Sequence, residues 1–354
     1  MSDDEPTPSR WVNQYELLQE LGAGSFGRVR LARTKAGEQF AVKILDKMRL
    51  RKKRTGRRTN ALDDAFHEIA VMKRLQHPNV ALFHELIDDV EGKTLYIVME
   101  FLPGGSVEEA LMASPGKPPR MAPADLRRYV RGTLLGLAYM HRSNMIHRDI
   151  KPENILLAAD GTPKLADFGT SELFDSDQHT VTRSAGTPAF YAPEACEEGS
   201  PEGEPLDVWA LGVTLFYCAY GQVPFMAATV WGIADMIAQN PVVYPDVPVD
   251  ADLLDLMHLT LEKDPAKRAT VAQVAAHAFV TEGGKQPLDI GEGGAGMPTE
   301  EETAAAVTSL DTLARIVNMK IQAHHVADRA RRASAEHVAL DLAAAAAAPE
   351  ASDA

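Results

Sequence analysis

His147-Arg148-Asp149-Ile150-Lys151-Pro152-Glu153-Asn154 places two acids, two cations, a histidine and an amide within eight residues. The octapeptide is the strongest single signal in the chain, although alone it does not dismiss a charged surface turn. The downstream sequence changes that reading. Asp167-Phe168-Gly169 comes next, then Ala192-Pro193-Glu194, then Asp207-Val208-Trp209-Ala210-Leu211-Gly212, and last Asp264-Pro265-Ala266-Lys267-Arg268. Any one of these is common by chance; the ordered set is not.

Working outward, Tyr15 to about Ala41 is strand-like, with turns at Gly22–Gly27 and Lys35–Glu38, and Phe40–Leu45 reads as a strand. Over Asp64–Leu75 the residues Phe66, Ile69, Met72 and Leu75 recur at helical spacing, and His77-Pro78-Asn79 stops that helix. Strands are expected near Leu82–Asp88 and Leu95–Phe101. After Pro103-Gly104-Gly105 the pattern turns helical, over Leu126–Arg142, Pro205–Tyr220, Val230–Gln239 and Leu253–Leu261. A strand-rich first third and a helical remainder predict an α+β chain with two lobes. The flanks differ in composition. Residues 1–14 are Pro- and Asp-rich and are expected to be a disordered tail. Residues 281–302 read as a Gly- and Glu-rich linker, 303–334 as a further helix, and 335–354 as an Ala-rich tail.

The 354 residues carry 36 Lys and Arg against 50 Asp and Glu, a formal net charge of −14. So acidic a chain is a poor general binder of nucleic acid or of an anionic membrane, and neither is expected as a partner. Basic charge is nevertheless concentrated in Lys47–Arg58. The two cysteines, Cys196 and Cys218, build neither a metal-binding spacing nor a disulfide framework and suit a reducing compartment. The acidic opening MSDDEPTPSR is not a secretory signal, and Ser2 in place of Gly removes N-myristoylation. Ala210–Tyr220 is too short to span a bilayer. The expected location is the cytoplasm, with the nucleus as an addition.

Gly22-Ala23-Gly24-Ser25-Phe26-Gly27 spells G-x-G-x-x-G, in which glycines let backbone amides approach phosphates without Cβ clashes. Dinucleotide-binding folds share the spelling but need a helix to begin at the loop. Here the loop runs instead into a strand, Arg28-Val29-Arg30-Leu31-Ala32. Strand–loop–strand is the arrangement of a nucleotide-covering loop, and a plain structural turn is the competing reading. In Ala41-Val42-Lys43 a lysine sits in an apolar strand. It either faces solvent in an ordinary ion pair or pairs with Glu68 and is held against the α- and β-phosphates.

The ordered set resembles the eukaryotic serine/threonine protein kinases over about Tyr15–Val280, with a small lobe (15–102) of strands and one key helix and a larger helical lobe (103–280). The resemblance implies ATP and Mg2+. It makes Asp149 the acceptor of the proton from the attacking hydroxyl, Lys151 a neutraliser of the γ-phosphate, and Asn154 and Asp167 the magnesium ligands. Lys43 and Glu68 complete the catalytic set. Leu21, Gly22, Ala23, Gly24, Ser25, Phe26 and Gly27 would cover the nucleotide; Val29, Ala41 and Leu156 would sandwich adenine. Met99 would guard the pocket, and Glu100 and Leu102 would offer backbone contacts. Phe83, Met72, His147 and Phe168 would align the lobes. Glu194 is expected to pair with Arg268, Asp207 to cap the catalytic-loop backbone, and Thr187 to contact Asp149 and Lys151. The competing classes are a catalytically silent binding module and a nucleotide-binding oxidoreductase. Intact Lys43, Asp149 and Asp167 oppose the first, and the strand after the glycine loop opposes the second.

Within that family Gly186–Glu194, Leu206–Leu215 and Gly221-Gln222-Val223-Pro224-Phe225 resemble the calmodulin-dependent protein kinase kinases and the plant kinases that activate SNF-related kinases. Lys47–Asn60 stands where that subfamily carries an Arg-Pro-rich insert, but it lacks proline. Glu153 replaces the serine of the animal members and would favour a basic residue just before the acceptor. The resemblance implies that the substrate is itself a kinase, phosphorylated on an activation-loop threonine. Arg148 is placed to meet a phosphate on Thr180, Thr182 or Ser184; the alternative is a loop ordered without phosphate. Leu310, Leu313, Val317 and Ile321 share a face, accompanied by Arg315, Lys320, Arg329, Arg331 and Arg332. Such a helix could enter calmodulin, dock on the chain's own large lobe, or remain a solvated tail.

Overall fold

The computed structural model describes residues 10–24, 27–48, 75–88, 94–143, 145–167, 172–173, 187–196 and 203–291. Its first part is a six-stranded antiparallel sheet of β1 (Arg10–Val12), β2 (Tyr15–Gly24), β3 (Gly27–Arg33), β4 (Gln39–Asp46), β5 (Phe83–Asp88) and β6 (Thr94–Glu100), in the order β1-β2-β3-β4-β6-β5. Alternation along the strands sorts the side chains onto two faces. Val12, Tyr15, Leu17, Val42, Tyr96 and Val98 form a core on one. On the other, register places Val29 opposite Lys43, Leu31 and Met99 opposite Ala41, and Phe83 opposite Met99.

β1 corrects the expectation for the N-terminal tail. Arg10–Val12 pairs with β2, Arg10 opposite Leu17 and Val12 opposite Tyr15, and Val12 is buried. A three-residue strand is too short for alternation to announce it; the partner strand specifies it.

The remainder is helical: α1 (Val107–Met112), α2 (Pro123–Arg142), α3 (Glu204–Tyr220), α4 (Val230–Gln239), α5 (Ala251–Thr260), α6 (Val271–Ala276) and α7 (Ala278–Thr281). Short strands β7 (Met145–Ile146), β8 (Ile155–Leu157), β9 (Pro163–Leu165) and β10 (Glu172–Leu173) interrupt it, β8 pairing with β9 and β7 with β10. α3 is apolar on nearly every side and correspondingly buried, with Trp209 and Phe216 wholly enclosed. Full burial of side chains of this size stabilises by about 1.5–3 kcal/mol each. α1 begins with a capping box: Ser106 Oγ accepts from Glu109 N–H, and the Glu109 carboxylate accepts from Ser106 N–H. No described helix is long and apolar enough to cross a membrane.

The linker expected from 281 onward is also corrected over its described part. Leu288 and Ile290 pack against the large core. Arginines of α2 donate to main-chain carbonyls of this segment, Arg131 to Gln286 (2.8 Å) and Arg142 to Ile290, while Arg127 and Arg131 also donate to Phe279 (2.6 Å) and Val280 (2.7 Å) of α7 just before it.

α2 lies directly beneath the β8–β9 hairpin, and Gly136 makes that approach possible. A Cβ there would fall 2.7 Å from the main-chain oxygen of Asn79 and 3.0 Å from Leu165 Cδ1. Gly136→Ala is therefore expected to destabilise the fold by about 1–3 kcal/mol through overpacking. The urea midpoint measures this, and an unmoved midpoint contradicts it. Residues 49–60, the helix expected over Asp64–Leu75 save its last residue, and everything beyond Gly291 lie outside the described residues.

Candidate active site

β7 ends at Ile146, and the chain then enters the octapeptide His147–Asn154. Asp207, wholly buried at the start of α3, fixes its entry. Its Oδ2 accepts from His147 N–H and His141 Nε2 (both 2.8 Å), and its Oδ1 accepts from Arg148 N–H (2.7 Å). Arg148 has φ +67° and Asp167 has φ +60°, left-handed conformations that cost an L-residue roughly 1–2 kcal/mol. Strain of this kind concentrates where side chains must be aimed, and it here frames Asp149 from both ends of the hairpin.

Asp149 is 7 % exposed and fully engaged. Its Oδ1 accepts from Thr187 N–H (3.1 Å); its Oδ2 accepts from Asn154 Nδ2 and meets Lys151 Nζ (both 2.8 Å). Lys151 Nζ also donates to Thr187 Oγ1 at 2.6 Å. Asn154, in a short 3-10 turn over Pro152–Asn154, donates from Nδ2 to the main-chain oxygen of Asp149 and accepts at its own carbonyl from Ala166 N–H. Thus Thr187 contacts Asp149 and Lys151, the contacts expected from the sequence, and Asn154 joins them through a bond to Asp149 that is not among those expected.

Asp167 lies just beyond β9, and its carboxylate, 55 % exposed, accepts from Lys43 Nζ at 3.0 Å. Glu68, the partner expected for Lys43, lies outside the described residues, as do Ser25, Phe26, Met72, Phe168, Thr180, Thr182 and Ser184. Nothing in the sequence signals the contact between Lys43 and Asp167; only the fold brings β4 and the end of β9 together.

On the sheet side of the cleft, Gly22 stands opposite Val29, Ala23 opposite Arg28 and Gly24 opposite Gly27. A side chain at Gly27 would collide with the carbonyl of Ile44, whereas one at Gly22 would meet nothing within 4 Å. Open space above bare backbone is what an anionic ligand needs. Leu21 is exposed; Val29, Ala41, Met99 and Leu156 are half-buried; Leu102 is buried with Ala81 and Ala166. Glu100 donates its N–H to Leu82, so any contact it makes with a base falls to its carbonyl. Its carboxylate does something the sequence did not signal. It binds Lys164 Nζ of β9 through both oxygens (2.8 and 2.9 Å) and accepts from Leu82 N–H. Only Lys164, two residues before Ala166 in the run to Asp167, hinted at a cation there.

Among the described residues no group of three or more His, Cys, Asp and Glu side chains could enclose a metal. Magnesium in a phosphate site takes one or two protein oxygens and the rest from phosphate and water. Asp167 and Asn154 are such donors, and the bond from Ala166 N–H to Asn154 keeps them neighbours.

Downstream, the 3-10 turns Pro188–Phe190 and Pro193–Cys196 build a platform beside Asp149. Glu194 anchors it through two bonds from Arg268, at 2.6 and 2.9 Å.

Burial holds the His147 imidazole below its ordinary value of 6.5, against the opposing pull of Asp207, Asp149 and Asp167. Burial, with Arg142 and Lys164 nearby, lowers His77 likewise. Burial pushes Asp207 up, but the hydrogen bond and charge of His141, with His147, bring it below its ordinary 3.8. All three act in one direction. In the unfolded chain the histidines take up protons below 6.5 while the native ones resist, so stability declines as pH falls from 6.5. Asp207 contributes stability above 3.8 that disappears as pH drops through its depressed native value. Urea midpoints should therefore decrease monotonically on acidification from neutrality; a rise between about pH 7 and 5 contradicts this.

A buried carboxylate held by a lysine and an amide, together with a second carboxylate bound to a sheet lysine, suits phosphoryl transfer. The Protein kinase domain family matches residues 15–280. A probable serine/threonine-protein kinase of Dictyostelium discoideum is 39% identical over 287 residues, covering 79% of this chain and 40% of that one. Serine/threonine-protein kinase GRIK2 of Arabidopsis thaliana is 38% identical over 272 residues, 76% of this chain and 66% of that one. The calcium/calmodulin-dependent protein kinase kinase of Caenorhabditis elegans is 35% identical over 339 residues, 88% and 61%. The chain belongs to the protein kinase domain family, on its serine/threonine branch. It spans between two fifths and two thirds of the length of these relatives.

Proposed function

We propose that the chain transfers the γ-phosphoryl group of ATP to a threonine hydroxyl in the activation loop of another kinase, one of the AMP-activated or SNF-related type. The observation that carries the phosphotransfer reading is the Asp149 carboxylate, held by Thr187, Asn154 and Lys151 beside the Glu194-anchored platform. A magnesium ion at Asp167 and Asn154 would neutralise charge on the phosphates and align them. Asp149 orients the acceptor hydroxyl and takes its proton as the new oxygen–phosphorus bond forms and the bond to ADP breaks. Lys151, already between Asp149 and Thr187, offers a cation to the transferring group. Lys43 would move from Asp167 onto the α- and β-phosphates. Little covalent help is required; positioning and charge do the catalysis.

The choice of substrate is supported by likeness to GRIK2 and to a kinase named for acting on kinases. Catalytically inactive subunits of candidate kinases, incubated with the full chain and labelled ATP, should yield one threonine-phosphorylated product. The active form of that subunit should gain activity. Labelling of none of them would sink the assignment. The basic amphipathic stretch within 303–334 is a proposed calmodulin ligand, tested by a calcium-dependent shift of the corresponding peptide.

A further inference from the structure

Glu100 and Lys164 meet where the two lobes join, and both oxygens of the carboxylate are taken. Lys164 Nζ bonds Oε1 at 2.8 Å and Oε2 at 2.9 Å, and Oε2 also accepts from Leu82 N–H at 3.2 Å. The lysine and glutamate side chains are only 15 % and 27 % exposed. A solvated ion pair contributes little. One that is sheltered, bound through both oxygens and joined by a main-chain donor fixes geometry.

The pair closes a frame. The connector between the lobes runs from Glu100 to Gly105, and both of its ends are tied to the β8–β9 hairpin. At the Gly105 end the tie is main chain: Gly104 N–H donates to Leu157 O (2.9 Å), and Leu157 N–H donates to Gly105 O (2.8 Å). At the other end the tie is Lys164 of β9 on Glu100. Residues 79–82 back the frame. Leu165 N–H donates to Asn79 O (2.9 Å), Ala81 N–H to Leu165 O (2.8 Å), and Glu100 N–H to Leu82 O (2.9 Å). Lys164 stands opposite Leu156 in the hairpin register, and Leu156 packs on the buried Ala81, Leu102 and Ala166. One lysine thus sets the separation between Leu156 and the main chain at Glu100.

We propose that Lys164 is a positioning residue for the nucleotide base: through Glu100 it holds the connector carbonyl at a fixed height above Leu156, against the edge of adenine. The proposal rests on the reading of Leu156 and the Glu100 carbonyl as the adenine site. Without the cation, the Glu100 end of the connector lifts from the hairpin while the Gly104–Gly105 end stays tied. The slot then loosens at the base and not at the phosphates, which fall to the glycine loop and Lys43. The loss appears as affinity, because a connector no longer held must be ordered when the base arrives.

Calorimetric titration of the full chain with adenosine and with MgADP tests this, since the fitted stoichiometry reports the folded fraction separately from the dissociation constant. Lys164→Met removes the cation and should weaken both ligands by the same factor, about fivefold. Lys164→Arg still offers paired donors to both oxygens and should stay within about twofold of the wild type. Should the stoichiometry of Lys164→Met collapse, Glu100→Gln decides: one acceptor oxygen survives, and both ligands should weaken by a smaller but again equal factor. Unaltered dissociation constants, or a loss confined to MgADP, overturn the assignment, as does an equal loss in Lys164→Arg. A wild type that binds neither ligand removes the adenine site itself and the proposal with it; a wild type that binds both, beside indifferent variants, removes the brace alone.

Discussion

Asp149→Asn is expected to reduce kcat by about 10²–10⁴-fold while the protein remains folded. The side chain is nearly isosteric, but its chemistry is inverted on one side. Asp149 now accepts on Oδ1 from Thr187 and on Oδ2 from Asn154 and Lys151. An amide keeps one acceptor and turns an NH2 toward groups that are themselves donors. It also has no basic oxygen for the acceptor hydroxyl. The loss should fall on kcat, with KM for ATP little altered, because Lys43 and the glycine loop belong to β2–β4. Rapid-quench measurement of the phosphoryl-transfer step separates this from slow product release. Undiminished turnover would remove Asp149 from the mechanism.

Arg268→Ala should cost about 3–5 kcal/mol of stability, the largest expected effect of a change away from the cleft. The Arg268 side chain has no exposed surface, and it does several things at once. It binds both oxygens of Glu194, donates to the carbonyls of Pro205 and Glu262 (both 2.8 Å), and lies 5.1 Å over the Trp209 ring. Its removal strands the Glu194 carboxylate in an apolar interior. The double variant Glu194→Leu, Arg268→Met should recover much of the loss in urea unfolding, because no charge is then left unpaired. A double variant as unstable as the single one would show that packing rather than desolvation sets the cost.

The two-lobed arrangement was legible because its signals are local. The strand-like pattern of β3, the apolar run of β4, the helical spacing of α2, the long apolar run of α3 and the ordered polar motifs each survive without knowledge of the fold. Val230–Gln239 has the bounds in the structure that its spacing predicts. Expected pairs also met across long separations, Glu194 with Arg268 and Asp207 with His147 and Arg148, because their motifs carry that information jointly. What escaped depends on tertiary neighbours. β1 exists through its pairing with β2. The bond from Asn79 Nδ2 to Pro163 O spans 84 residues and leaves no periodic trace. α1 escapes although Ser106 and Glu109 spell a capping box, since six residues after a glycine pair are too few to show a stripe. The ion pair of Glu100 with Lys164 escapes because the family resemblance gives Glu100 a backbone role alone.

The grip of α2 on the segment after α7 has an evolutionary corollary. Arg131 and Arg142 recognise peptide oxygens there, at Gln286 and Ile290, as Arg127 and Arg131 do at Phe279 and Val280 of α7, and every amino acid supplies these alike. Residues 285–287 can thus drift in identity without loosening their seat, whereas Glu282 pairs with Arg127, Gly283, Gly284 and Gly291 hold positive φ, and Leu288 and Ile290 pack on the core. The burden of constancy rests on three cationic positions of one helix, and a survey of natural variants should find tolerance on one side of the contact and intolerance on the other.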